Sequence, residues 1–153
     1  MNATHVLDEY RAALDKLETS LNTPIVAGEL ADWAGVVSNT WADATEQIVR
    51  QIQEVHPRQF EEMADADPEM LSRVETLKTE DDEIEQDRDS FQRHLARVVE
   101  HAPSFERDEE KIKSYTTSLM DTGLALVQRA RKQEVALQTW FVEAFNRDRG
   151  VAD

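Results

Sequence analysis

The sequence predicts an all-α protein: an up-down-up-down antiparallel four-helix bundle, with a short extra helix between the second and third long helices. Three observations lead there. Apolar residues recur at spacings of three and four through most of the 153 residues, the period of one helix face. Glycine and proline number four each, too little turn chemistry for a many-stranded sheet, while Ala, Leu, Glu, Gln, Arg and Asp dominate. The prolines, Pro24, Pro57, Pro68 and Pro103, all fall between periodic segments, where proline is tolerated. Short connections between successive helices make neighbours antiparallel. A chain of this length reads as one domain over residues 1–153, able to bury about two thirds of its unfolded surface.

The first helix is expected from Ala3 to Asn22, with Val6, Tyr10, Ala13, Leu14, Leu17 and Leu21 on its apolar face and Thr23-Pro24 closing it. The second runs from Gly28 to Val55, with Leu30, Trp33, Val37, Trp41, Ala44, Ile48, Ile52 and Val55 on one side; its tryptophans read as core anchors. His56-Pro57 is expected to end it, because the residue before proline resists the helical region. A short helix from Arg58 to Ala64 then offers Phe60 and Met63. Asp67 is placed to cap the next helix, with Pro68 at its first position. Asp65-Ala66-Asp67 lacks the twelve-residue loop of a calcium site, so capping is the reading taken.

The third helix, Pro68 to Ala102, organises the rest. Its seam is Met70, Val74, Leu77, Ile84, Phe91, Leu95, Val98 and Ala102, broken by Asp81 and Arg88 where apolar residues are due. Charges in a core stripe are costly unless paired or bound. Pro103-Ser104 resets the chain, Ser104 caps a fourth helix, and Glu106, Asp108, Glu109 and Glu110 suit its positive end. A seven-residue repeat, Ile112, Leu119, Leu126, Gln133 and Trp140, with companions Thr116, Gly123, Ala130, Leu137 and Ala144, carries that helix to Arg149, with Gly150 as its stop. Gly123 costs roughly 1 kcal/mol against alanine and asks for a close contact or a bend. Trp140, Phe141 and Phe145 overhang the bundle and are expected on the Phe60/Met63 helix.

Counting outward from the turns at about 1.5 Å per residue places Tyr10, Trp41 or Ala44, Asp81 and the Gly123 region in one layer, with Arg88 two turns from Asp81. Two readings follow. Asp81 accepts a hydrogen bond from the Tyr10 hydroxyl while Arg88 snorkels outward; or the layer is a cavity or metal position, which helical proteins build in bundle cores.

The net charge of −15 argues against nucleic acid and anionic membrane as partners, and fits solubility, a cationic partner or metal attraction. There is no cysteine, hence no disulfide, thiolate site or thiol nucleophile. No apolar run approaches the roughly 18 residues that cross a bilayer, and Met1 to Tyr10 lacks a signal pattern, so a cytoplasmic protein is expected. None of the four histidines, His5, His56, His94 and His101, follows a glutamate by three; His5 with Glu9 is the one His-x-x-x-Glu pair, and His94 and His101 read as surface residues. With no glycine-flanked serine elbow, phosphate loop or dinucleotide fingerprint, an enzyme is not expected.

Leu7-Asp8-Glu9-Tyr10-Arg11 with Leu14 and Leu17-Glu18 resembles the opening of hemerythrin-like domains, the cation-binding "HHE" four-helix bundles. Pro68-Glu69-Met70-Leu71 through Val74-Glu75-x-Leu77-Lys78-x-Glu80-Asp81 continues the likeness. Gln133-Glu134 to Leu137, and Glu143-Ala144-Phe145-Asn146-x-Asp148-x-Gly150, are similar to the tails of some bacterial members. The departures carry the message. Tyr10 and Asp81 stand where the family has histidines, Phe60-Glu61-Glu62 is the nearest echo of the second-helix motif, and no histidine precedes Glu134. The resemblance therefore implies a bundle that has lost its diiron site and takes no cofactor. A buried polar cluster of Tyr10, Asp81, Arg88 and Gln133 would stand at former ligand positions. If a metal survives, Asp81, Glu134 and His5 would hold it. The expected role is binding of a protein or small apolar ligand, as a monomer or dimer. A metal-binding or oxygen-handling protein and an acidic interaction module are the alternatives.

Overall fold

A computed structural model describes residues 3–105 and 107–152, with side chains for 4–105 and 107–146. The chain is helical almost throughout: α1 (Ala3–Asn22), α2 (Leu30–Arg50), a π-helical turn (Gln51–Val55), α3 (His56–Ala66), a 3₁₀ turn (Pro68–Met70), α4 (Leu71–Phe105) and α5 (Glu109–Ala152). No strand occurs among the described residues. Among the described residues no helix is long and apolar enough to cross a membrane.

Three expected boundaries move, each for a local reason. His56-Pro57 does not end the second helix: His56 keeps helical angles (φ −58°, ψ −45°) and the backbone runs on to Ala66. The turn before it widens, the His56 N–H reaching back to the Gln51 carbonyl, five residues earlier. Pro57 thus enters in a first turn, where its missing N–H breaks no regular bond. The short helix is accordingly a continuation of the second. Pro103 likewise sits inside α4, which runs to Phe105; burying that ring, stacked on His101 at 5.5 Å, carries the helix past the proline. Ser104 is therefore the last turn of one helix and caps nothing. Asp108 takes over as cap, its Oδ1 accepting from the Lys111 N–H at 3.2 Å. Glu106 lies outside the described residues. Gly150 does not stop α5, which continues through it to Ala152.

Other joints fall where expected. Asp67 Oδ1 accepts from the Glu69 N–H at 3.0 Å, with Pro68 opening the 3₁₀ turn. Gly28 turns the chain into α2 with φ +88°, a conformation few other residues adopt. A β-carbon on Gly123 would stand 2.6 Å from Leu21 Cδ1 and 2.7 Å from Phe91 Cε2, so the mid-helix glycine marks a close approach of α5 to α1 and α4.

The apolar interior is divided. The larger cluster takes Leu14, Leu17 and Leu21 of α1, Trp33, Val37, Trp41 and Ile48 of α2, Ile84 to Phe105 of α4 and Ile112 to Ala130 of α5. The smaller takes Phe60 and Met63 of α3, Met70, Val74, Leu77, and Leu137 and Ala144 of α5. Trp140 and Phe141 pack against this smaller cluster, as expected of the overhanging turns. Phe145 instead stays exposed, its ring 4.8 Å from that of Phe141. Neither α1 nor α2 contributes to the smaller cluster, and α3 contributes nothing to the larger.

Candidate functional site

Between the two clusters every seam turns polar at one level. On α4 the break between Leu77 and Ile84 is Asp81; on α5, between Ala130 and Leu137, it is Gln133 and Glu134. On the second helix it is Gln51 and His56, flanking the π-helical turn, and α1 supplies Tyr10. All six are buried.

The centre of this layer is the Asp81 carboxylate. Its Oδ1 lies 2.8 Å from His56 Nδ1 and 2.7 Å from Gln133 Nε2. A carboxylate accepts, so the contact places a proton on Nδ1, and the same Gln133 amide also donates to the Leu77 carbonyl at 3.2 Å. Beside it, Glu134 Oε1 accepts from Arg11 Nε at 2.8 Å and from Arg11 Nη2. These two donations to one oxygen hold the guanidinium pKa above its ordinary value. Burial, and then the nearby charges of Glu134 and Asp81, push the Tyr10 phenol well above the usual tyrosine range, so it stays protonated. One turn along, Gln47 Oε1 and Gln51 Nε2 are enclosed without a partner.

The expected members are not all brought together. Tyr10 and Asp81 share the layer, but Asp81 accepts from His56 and Gln133 rather than from the Tyr10 hydroxyl. Trp41 and Gly123 belong to a different level, where the Trp41 ring packs at a tilt against Phe91 at 4.5 Å and donates to Gln92, and Phe91 abuts Gly123. Arg88 stands apart as well: its Nη1 reaches Thr45 Oγ1 at 3.3 Å, its Nη2 approaches Asp89 at 3.5 Å, and its Nε is enclosed without a partner. His5, with its side chain 58% exposed, pairs with Glu9 at 3.2 Å, and Glu9 with Arg50 at 2.9 Å, so it belongs to the rim rather than to Asp81 and Glu134. His94 and His101 are half-buried rather than surface residues; burial and Arg97 lower the His94 pKa, and His101 lies over Phe105. Sequence reasoning missed His56 because it ended the helix there, and Gln51 because it counted Ile48 and Ile52, not Gln51, on the apolar side.

No protein-family model matches this chain, and no curated protein or solved structure is significantly similar to it. The hemerythrin-like resemblance therefore stands or falls on these residues. A diiron centre wants several imidazoles around bridging carboxylates. This layer offers one imidazole, already committed to Asp81, and a glutamate already held by an arginine. Among the described residues no group of three or more His, Asp or Glu is arranged to hold a metal ion. The donors present do not fit such a centre.

Proposed function

We propose that this protein is a non-catalytic, hemerythrin-like bundle in which a protein-only hydrogen-bond network replaces the metal layer, and that it works by binding a protein or small ligand. One observation carries the reading. Both buried carboxylates of the layer already accept from protein donors, Asp81 Oδ1 from His56 and Gln133 and Glu134 Oε1 from Arg11, so protein groups offset charge that a metal would otherwise meet. An up-down-up-down antiparallel order is supported by pairs whose numbers rise on one helix as they fall on the next. These are Glu9–Arg50 and Ser20–Thr40 for α1 and α2, Trp41–Gln92 and His56–Asp81 for the second helix and α4, and Arg73–Glu143 and Asp87–Arg129 for α4 and α5. A binding role is supported by an exposed apolar strip on α5, Val135, Val142 and Phe145. The test is elemental analysis of protein purified from iron-supplemented cells. No stoichiometric metal and no oxo-iron absorption are expected; two irons per chain would defeat the proposal.

A second reading, a carboxylate-rich metal site, is favoured by Gln47 Oε1, a buried oxygen that lacks a donor. Thermal melts with and without iron, manganese or zinc separate the two, since a metal that binds only the folded state raises the midpoint.

A further inference from the structure

We propose that α3 is a latched flap: it swings away from α4 and α5 as a unit about the π-helical turn, opening the smaller core while the larger core stays folded. The two apolar clusters share no member, and α3 packs into the smaller one alone, through Phe60 and Met63. Cooperative units of a fold follow such divisions of the core. Between the clusters lies a polar layer, which unlike an apolar one can rewet when the parts separate.

The backbone departs from the regular α-helix at the same level. Residues 51–55 form a π-helical turn, a spacing proteins use in single turns and frequently at functional sites. Beyond it, Pro57 stands in the first turn of α3 and marks where the flap begins. The first side chain after the turn is His56, whose bond to Asp81 ties the root of the flap to α4, with Gln133 of α5 holding the same oxygen. Hinge, latch and core boundary thus coincide. Two methionines, Met63 of α3 and Met70 of the 3₁₀ turn, belong to the smaller cluster, and such unbranched side chains repack at low cost when a surface opens and closes.

Native-state hydrogen exchange on the whole chain, read by peptide mass spectrometry, tests this. Amides of α3 are expected to exchange at least about tenfold faster than buried amides of α1 and of Trp33–Ile48, through an opening that leaves the latter protected. Asp81→Asn keeps the shape and removes the charge that strengthens the latch, and should speed α3 exchange about tenfold further with no change in Trp33–Ile48. Equal protection of α1, α2 and α3 in the natural chain overturns the flap. Acceleration of every helix alike by Asp81→Asn, or of none, overturns the latch.

Discussion

Replacing Asp81 with alanine removes the acceptor shared by two buried donors. His56 Nδ1–H loses its acceptor, while Gln133 keeps the Leu77 carbonyl at 3.2 Å for one of its two N–H groups. A buried donor without a partner costs about 1–3 kcal/mol. Losing the desolvated carboxylate itself returns part of that, so the expected destabilisation stays within about 1–3 kcal/mol. For a domain of this length that amounts to a fall in Tm of roughly 2–12 °C. Urea unfolding followed by far-UV circular dichroism measures it, with Asp81→Asn as the shape-preserving control. A double-mutant cycle with His56→Ala should return a coupling of about 1–3 kcal/mol. A loss below about 0.5 kcal/mol on Asp81→Ala, or a coupling near zero, would show that the network does not hold the layer together.

Gly123→Ala gains about 1 kcal/mol of helix propensity, but its methyl meets Phe91 at 2.7 Å, and overpacking of about 1–3 kcal/mol outweighs the gain; a raised Tm would contradict this. Arg11→Ala leaves Glu134 buried without its cation and should cost about 1–3 kcal/mol in urea titrations, although half of the Arg11 side chain is exposed. Because Tyr10 holds its proton more tightly folded than unfolded, its contribution is intact below the unfolded pKa of 10.0 and declines as pH rises past it. Tyr10→Phe should flatten that alkaline decline in the urea midpoint, and an unchanged slope would refute the assignment. Met63→Ala, in the smaller core, should cost about 2–5 kcal/mol by loss of packing, measured by the same titration.

The helices were legible because their seams keep a strict period: every apolar seam residue from Met70 to Ala102 is buried. The break at Asp81 was legible for the same reason, as a charge in an apolar register. What sits against it was not. Reading His56-Pro57 as a stop put the second helix's turn some ten residues too early, and every level counted from it moved with it. Reflecting α4 onto α5 about Arg107 pairs Asp81 with Gln133 and Phe91 with Gly123, the contacts found. A signal for the missing helix was present in Ala44, Ile48, Ile52, His56 and Phe60, an unbroken run of fours. A regular α-helix drifts off its face over such a run, and only a wider turn keeps it aligned. Hydrogen-bond partners, by contrast, depend on rotamers that no spacing encodes.

That wider turn also says how the gene can change in length. A π-helical turn is a helix carrying one residue more than its neighbours need, absorbed without rotating what lies on either side. Deleting exposed Glu54 would set Phe60 eleven positions after Ile48 in place of twelve, close to three whole turns, so both side chains keep their direction. Pro57 is the obstacle, since its ring would then press on a carbonyl of a regular helix. Single-codon loss should therefore be tolerated here when paired with Pro57→Ala, and at few other points within these rods.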